Sequence, residues 1–450
     1  MFSNRMKTPK LMKFLLGRYR KQAIAGTALI AAIAAISAYS VTSGHTQTPT
    51  ASKTASGEKN AQFITRAKAT TVPRVSAKAS ASPKKKPKAK ASPSPGSGAS
   101  AVVSTGPSSG TASRSPYTWP FSWESIWNIP IASTAEYAPA DIKSIGTFED
   151  SASADYDSIS PAFPVVTLEN AELASGSVGA VSVYGDPAMT ADGEWNTCSA
   201  FLGTDGTSVY QGETTELTAG GNPSFGGTAD APWAPVSIEG TGIEGCHGGS
   251  GLSGLGGTLT LSDLTQSGPI THALKVALDG SINLSSANGG FRWPAANADT
   301  GFNEASSSAF YGGSNPDVQE GSLLALPRSI SPSSFSNPIV AKIAEAMQDY
   351  GAYIVDDTGT GASSYSSLIT NYNSSSQLVS DLCGEGASCG AGSLTFSSEL
   401  DTLLQELDVV TNNTSSTPGG GVIGASRCAP YAPEFTGGSD APPSVAVTGC

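Results

Sequence analysis

The sequence predicts one mainly β domain of β-sandwich or jelly-roll type, with two helices late in the chain, preceded by a disordered stalk. Short runs rich in Val, Thr, Leu and Tyr alternate with Gly- and Pro-rich turns over residues 163–280. Helical periodicity is clear only in two later segments. No internal repeat is present, and a β-barrel or propeller is the alternative arrangement of such strands.

Residues 1–43 have the pattern of an export signal. A basic segment precedes an uncharged apolar run, residues 23–40, which ends in small residues. The run is at the lower length limit for a membrane span. We expect either cleavage of a signal peptide near Ala38 or retention of a single N-terminal transmembrane anchor, with the rest of the chain secreted or at the cell surface.

Residues 44–116 are predicted to form a disordered stalk. They consist mainly of Ser, Thr, Ala, Pro, Gly and Lys, and a segment so poor in large apolar side chains cannot offset its ordering entropy. Its basic run, residues 84–90, is either a solvated tail or a contact to anionic cell-wall polymer or lipid headgroups.

The predicted domain, residues 117–450, is strongly acidic, with 6 basic against 36 acidic residues. A surface of this charge repels nucleic acid and polyanionic glycans, so a nucleic-acid partner is not expected. A glycan or cell-wall polymer is the expected partner, with membrane contact only through the N-terminal segment. The domain is predicted to be monomeric.

All six cysteines lie in this domain, and an even number behind an export signal predicts disulfides. The expected pairs are Cys383–Cys389, which closes a short loop, Cys428–Cys450, which fixes the C-terminus, and Cys198–Cys246. A zinc site is not expected, because the chain has no CxxC pair and no HxxxH spacing.

Several elements can be placed from the sequence. Residues 256–264 and 270–280 are predicted strands, and AYIVDD, residues 352–357, is a third. Helices are predicted over residues 338–350, with an Asn–Pro start and a Gly end, and over residues 397–407.

The loop HGGSG, residues 247–251, allows three interpretations. It is similar to the HGGG oxyanion loop of lipases, but a G-x-S-x-G serine is missing, because leucine stands two residues after both Ser250 and Ser253. A phosphate-binding loop would need a lysine and a following helix. The third interpretation is a turn in which glycines permit positive φ and close packing, fixed by Cys246.

The candidate functional stretch is residues 240–294, which gather both histidines of the domain and two of its scarce cations. Glycan cleavage needs a carboxyl pair for hydrolysis, or a base with a cation that neutralises a uronate for elimination. The candidate catalytic residues are His247, His272 and Glu244. The candidate substrate-binding residues are Lys275, Arg292, Trp293 and Trp123, because cations and flat aromatic rings suit sugars.

Each candidate also has a structural alternative. Strand alternation places His272 among apolar neighbours and Lys275 on the opposite face, as expected for a core histidine. Arg292 suits an ion pair inside an acidic domain. The aromatic segment around Trp123 suits the cap of a core.

Five segments also carry a resemblance: SIWNIPI (125–131), HGGSGLSGLGGTLTLSDL (247–264), ITHALKV (270–276), FRWPA (291–295) and MQDYGAYIVDD (347–357). In these segments the chain resembles a group of secreted bacterial proteins with an S-[IV]-W-N-x-P-I opening, a GGSGLS loop, an I-x-HAL strand, a WPA motif and a YGAYVVD strand. The resemblance implies one secreted body centred on this stretch. It implies no activity and no catalytic residue.

Together these features predict an extracellular, carbohydrate-active protein, either a glycan hydrolase or a lyase. The alternative is a non-catalytic glycan-binding or structural surface protein. No cofactor is required by the sequence. The candidate ligands for calcium are the carboxylate oxygens of either Asp356 and Asp357 or Asp155 and Asp157.

Overall fold

The computed structural model describes residues 113–144, 154–189, 198–213, 215–226, 233–359, 366–371 and 394–448. The predicted leader, almost the whole predicted stalk and the cysteines Cys383, Cys389 and Cys450 lie outside these ranges. No helix within them is both long enough and apolar enough to cross a membrane.

The described residues form a mainly β structure, as the sequence predicts, and they contain three sheets and three α-helices, two of them late in the chain as expected. The strands are β1 Tyr137–Pro139, β2 Ala154–Ser158, β3 Val165–Glu172, β4 Val178–Tyr184, β5 Cys198–Leu202, β6 Ser208–Glu213, β7 Thr215–Leu217, β8 Pro223–Phe225, β9 Trp233–Ser237, β10 Leu274–Leu278, β11 Leu323–Ala325, β12 Ala352–Asp357, β13 Ser367–Leu368, β14 Thr370–Asn371 and β15 Asp408–Val410. The helices are α1 Leu261–Thr265, α2 Pro338–Asp349 and α3 Leu394–Gln405.

The three sheets have six, five and four strands. Their orders are β1-β15-β11-β12-β10-β13, β14-β2-β5-β6-β9 and β4-β3-β8-β7. None of them closes into a barrel among the described strands. The six-stranded sheet is mixed, because β10 runs parallel to β12 and antiparallel to β13.

The six-stranded sheet lies between two hydrophobic cores. Leu274 and Val276 of β10 point into one core, which they share with α2 and α3, whereas Ala273 and Ala277 point into a second core beneath the five-stranded sheet. This alternation is the one predicted for residues 270–278. Because both faces are covered, the central strands are buried along their whole length and mostly apolar, with Lys275 in β10 and the two aspartates that end β12 as exceptions.

The chain joins the first two sheets directly at residues 367–371. β13 pairs with β10 in the six-stranded sheet, and β14, one residue later, pairs with β2 in the five-stranded sheet. This crossing brings β2 close to β10. It therefore places two aspartates of β2 next to the middle of the central sheet.

The two late helices are confirmed, with small differences at their ends. α2 begins as expected, with Asn337 accepting hydrogen bonds from the backbone N–H groups of Ile339 and Val340 and with proline at the first helical position. Gly351 follows with φ of 81°. α3 covers residues 394–405, where 397–407 was predicted.

The strand predicted over residues 256–264 is wrong: residues 256–260 contain a single isolated β-bridge, at Leu259, and residues 261–265 form α1. Thr260 and Asp263 make a capping box, in which the Thr260 hydroxyl accepts from the Asp263 backbone N–H while the Asp263 carboxylate accepts from the Thr260 N–H. This reciprocal pair satisfies two groups that a helix start leaves open, and it outweighs the β propensity of the sequence TLTL.

Two predictions about cysteine can be followed in the described residues. The disulfide Cys198–Cys246 is confirmed, and it ties β5 to the glycine-rich loop. Cys428 is also disulfide-bonded, while its expected partner Cys450 lies outside the described ranges.

Arg114, which the sequence analysis assigned to the stalk, belongs to the folded body and adds a cation to it. Its guanidinium donates to the carbonyl groups of Pro433, Trp119 and Phe121. It thereby ties the start of the domain to its C-terminal segment.

Replacing Asn337 by Ala should lower the free energy of unfolding by about 1 kcal/mol, because two N–H groups at the start of α2 lose their acceptor. Urea denaturation measures this change. Asn337→Ser is the matched control and should retain most of the stability. An Ala variant as stable as the unaltered protein would contradict the capping role.

Candidate functional site

A cavity of about 520 Å³ lies between the N-terminal aromatic segment, β2, α1 and β14. Its walls include aromatic, titratable and polar side chains. The aromatic residues are Tyr117, Trp119, Phe121, Trp127 and Phe163, the titratable ones are Asp157, Asp263 and His272, and the polar ones are Thr258, Gln266 and Asn371. An enclosed space with flat apolar walls and a few convergent polar groups is typical of a small-molecule or sugar site.

The aromatic wall comes largely from the aromatic segment around Trp123, which the sequence analysis proposed as a sugar platform. Trp123 itself is not part of the wall. Trp119 is partly exposed in the cavity wall, and its Nε1 donates to Asn128 Oδ1 at 2.7 Å. Trp123 is buried instead and packs edge-on against Tyr431, with 5.6 Å between ring centroids. Within this segment the ring-stacking candidate is therefore Trp119.

Asp157 is an acidic group of the cavity wall with one buried oxygen atom that has no hydrogen-bond partner. Its Oδ2 accepts from Asn371 Nδ2 at 3.2 Å, whereas its Oδ1 is buried and has no hydrogen-bond partner. Burial, and next the charge of Asp155, raise the pKa of Asp157 to about 8. The side chain is therefore a carboxylic acid at neutral pH, able to donate a proton.

His272 and Asp263 form a second titratable pair in the same cavity. His272 Nε2 lies 3.5 Å from Asp263 Oδ2, and His272 Nδ1 lies 2.9 Å from the carbonyl oxygen of Ala273. Burial alone would lower the pKa of His272, but the Asp263 carboxylate outweighs it and the pKa is raised. Burial alone would raise the pKa of Asp263, but His272 and the Thr260 hydrogen bonds outweigh it and the pKa is lowered. Asp263 is thus an ionised carboxylate.

Behind the cavity, Asp155, His247 and Lys275 form a fully buried group. Asp155 Oδ2 accepts from Lys275 Nζ, lies 3.1 Å from His247 Nε2 and accepts from Thr258 Oγ1 at 3.2 Å. Lys275 also donates to the carbonyl groups of Ser253 and Gly254. The group thus holds the glycine-rich loop against β2 and β10.

The pKa directions in this group fit an internal ion pair. Burial lowers the pKa of Lys275 and of His247. Burial would raise the pKa of Asp155, but His247 and Lys275 outweigh it, and the pKa is lowered. Asp155 Oδ2 already has cationic partners, whereas Asp155 Oδ1 is buried without a hydrogen-bond partner, so the calcium pair Asp155 and Asp157 stays a prediction.

The remaining predicted site residues lie elsewhere. Arg292 Nη2 donates to the carbonyl of Thr411 at 2.9 Å, and its Nη1 lies 3.7 Å from Asp317 Oδ1, as expected for a structural ion pair. Glu244 is exposed, and Trp293 packs against the second hydrophobic core. Of the candidates named from the sequence, only His272 lines the cavity.

Sequence reasoning missed Asp157, Asp263 and Trp119 as cavity residues. A usable signal for Asp263 was the pattern Thr260-x-x-Asp263, which is typical of a capping box. For β2, the alternation Asp155-Tyr156-Asp157 in a short polar segment places both carboxyl groups on one face, opposite the buried Tyr156.

A second set of carboxyl groups surrounds the glycine-rich loop. Oxygen atoms of Asp299, Asp356 and Asp357 lie within 4.8 Å of one another. Burial and the neighbouring carboxylates raise the pKa values of Asp356 and Glu320 well above the usual carboxyl range. The same causes raise the pKa of Asp357 to about 7. Asp356 and Asp357 end β12, as the sequence predicts.

Comparisons with protein-family models, with curated proteins and with solved structures find no match to the chain. The group resemblance of the five segments therefore stays a prediction.

Lys275→Met should lower the free energy of unfolding by about 3–5 kcal/mol, because Asp155 then keeps a buried charge without its lysine partner. Chemical denaturation measures the loss. The double variant Lys275→Met with Asp155→Asn should regain part of it. A single variant within about 1 kcal/mol of the unaltered protein would show that the pair does not hold the loop.

The raised pKa of Asp157 predicts a pH-dependent stability. Between the ordinary aspartate pKa near ~4 and a pKa of about 8, the folded protein binds more protons at this site than the unfolded chain. This contribution to stability is complete at low pH and is lost as pH rises, at up to about 1.4 kcal/mol per pH unit.

Denaturation of Asp157→Asn and of the unaltered protein across this pH range isolates the contribution. The difference between the two free energies of unfolding should change steadily with pH. A constant difference would show that Asp157 titrates normally.

Proposed function

We propose that the protein hydrolyses a glycosidic bond, with its catalytic site in the aromatic-lined cavity. The observation that carries the proposal is the pairing of a protonated carboxyl, Asp157, with an ionised carboxylate, Asp263, in the walls of one cavity. Glycoside hydrolases generally use two carboxyl groups whose environments separate their pKa values in this way.

Asp157 is assigned the role of general acid. Its proton is held in the cavity wall by burial, and the departing sugar oxygen can accept it. Asn371, which donates to Asp157 Oδ2, fixes the orientation of the carboxyl group. An oxygen acid that stays protonated at neutral pH meets the requirement for protonating a poor leaving group.

Asp263 is assigned the role of the second carboxylate, which stabilises the positive charge that develops on the sugar ring. Its Oδ2 is fixed by the Thr260 hydroxyl and backbone N–H and faces His272. The other oxygen, Oδ1, is the one assigned to the sugar or to the attacking water. His272 keeps Asp263 ionised.

The aromatic wall and the overall charge favour a neutral glycan as the substrate. Tyr117, Trp119 and Phe163 offer partly exposed rings to a sugar. His272, the histidine in the described part of the cavity wall, is paired with Asp263, and Arg114 of the same wall donates to backbone carbonyl groups. The domain also carries a large acidic excess. A lyase needs a cation for a uronate carboxylate, so these charges favour hydrolysis over elimination.

The proposed location is outside the cell, secreted or held at the surface by the N-terminal segment. The disulfide Cys198–Cys246 supports this, because structural disulfides persist in oxidising compartments. A non-catalytic glycan-binding protein is the second candidate, since the aromatic wall would by itself retain a sugar.

Incubation of the full chain with a panel of neutral and acidic glycans tests the proposal, with release of reducing ends as the readout. Asp157→Asn should lower the rate ~10²–10⁴-fold, the usual contribution of a general acid. Asp440→Asn, which removes an exposed carboxylate outside the cavity, is the matched control and should leave the rate unchanged.

The other outcomes separate the alternatives. Retention of a glycan without cleavage would replace the hydrolase by a binding protein. Products with unsaturated uronate ends would identify a lyase. Cleavage that survives Asp157→Asn would contradict the assignment of the acid.

A further inference from the structure

The second carboxyl set lies where three of the motif segments meet. Asp299 follows the WPA motif, Asp356 and Asp357 end the strand AYIVDD, and Gly249 belongs to the HGGSG loop. A Cβ atom on Gly249 would lie 2.8 Å from Asp299 Oδ2 and 3.2 Å from Asp356 Oδ1. Glycine at this position therefore allows the loop to approach the carboxyl groups closely.

Glu320 completes the set and is fully buried. Its Oε1 lies 3.2 Å from the same Cβ position and accepts from the Tyr311 hydroxyl at 3.1 Å. The Tyr311 hydroxyl lies closer to Asp299 Oδ2, at 2.6 Å, so its single proton is shared between two carboxyl groups and cannot satisfy both fully. We call Asp299, Glu320, Asp356 and Asp357 the carboxylate cluster.

Two oxygen atoms of the carboxylate cluster are buried without a hydrogen-bond partner. They are Glu320 Oε2 and Asp357 Oδ2, on side chains that are 0% and 7% exposed. A buried acceptor without a donor is costly, and native structures rarely keep one without a water or an ion. Two such atoms in one cluster point to a ligand that accepts electron pairs.

The charges around the carboxylate cluster have one sign. Asp356 is influenced by Asp299, Glu320, Asp357 and Glu213, and Glu320 by Asp299 and Asp357. No lysine, arginine or histidine of the described residues contributes to either. Buried carboxyl groups are normally paired or coordinate a metal, so a cation is the missing partner.

The spacing of the oxygen atoms fits a calcium ion. Calcium binds oxygen at about 2.3–2.6 Å, so two ligands of one ion lie at most about 5 Å apart. One oxygen from each of Asp299, Asp356 and Asp357 satisfies this limit, because all three lie within 4.8 Å of one another. Magnesium demands a smaller and near-ideal octahedron, which favours calcium for an irregular set.

We propose that Asp299, Asp356 and Asp357 bind one calcium ion, with the buried Glu320 carboxyl group next to it. The ion would join the loop after β10 to the end of β12, and so stabilise the glycine-rich loop packed on them. None of these four residues lines the aromatic cavity, so the site is separate from the proposed catalytic residues.

Calorimetric titration of the full chain, first treated with a chelator, with calcium chloride tests the proposal. One calcium per chain is expected. At a hundredfold excess over the dissociation constant, calcium should raise the melting temperature by ~5 °C or more, because only the folded protein binds it. Magnesium chloride should produce a smaller shift.

The variants Glu320→Gln and Asp357→Asn should each reduce calcium affinity at least ~10-fold, since Asp357→Asn removes a charged ligand and Glu320→Gln removes a negative charge next to the ion. Without calcium they should melt no lower than the unaltered protein, because they relieve repulsion among buried carboxyl groups. Glu304→Gln, which changes an exposed carboxylate close in sequence to Asp299, is the matched control and should bind normally.

Two results would overturn the proposal. One is the absence of both binding heat and a melting shift in the unaltered protein with millimolar calcium. The other is an unchanged calcium response in Glu320→Gln and Asp357→Asn. If one variant fails to fold, the other and the titration of the unaltered protein still decide the question.

Discussion

The buried ion pair between Lys275 and Asp155 is the interaction on which the rest of the site depends. Lys275 lies in the middle of the central sheet and Asp155 on the second strand of the five-stranded sheet, and both are fully buried. A charge in this position is tolerated only with a close partner. The pair therefore fixes the distance between the two sheets and, through the carbonyl groups of Ser253 and Gly254, the path of the glycine-rich loop.

The same pair sets the chemistry of the cavity, because Asp157 lies two residues after Asp155 on one strand. The two carboxyl groups share a face and a low-dielectric environment, but only Asp155 has cationic partners. Asp155 is consequently ionised, and its negative charge adds to the burial that raises the pKa of Asp157. The ionised Asp155 thus helps burial to keep Asp157 protonated.

Much of the fold was predictable because local patterns decide it. The helix at 338–349 follows from its capping residues, and the strands at 274–278 and 352–357 follow from side-chain alternation. Cysteine parity predicts disulfides, whereas the pair Cys198–Cys246 was one choice among several. The error at residues 261–265 arose where a capping box competes with β propensity.

The candidate site was less predictable, because it depends on contacts between distant segments. His247 is a conspicuous residue in sequence, yet its partner Asp155 lies 92 residues away and makes it part of the core. Asp157 is inconspicuous among 36 acidic residues, and only the crossing at residues 367–371 gives it an unusual environment. Sequence patterns report side-chain periodicity, whereas burial of a charge is set by tertiary packing.

The central claim is that Asp157 is a carboxylic acid at neutral pH. The most direct measurement is the titration of its carboxyl carbon by NMR in the full chain labelled with ¹³C-aspartate, with Asp157→Asn used to assign the signal. Burial of Asp157 beside the ionised Asp155 predicts a midpoint near a pKa of about 8. A midpoint near the ordinary aspartate value of about 4 would contradict it.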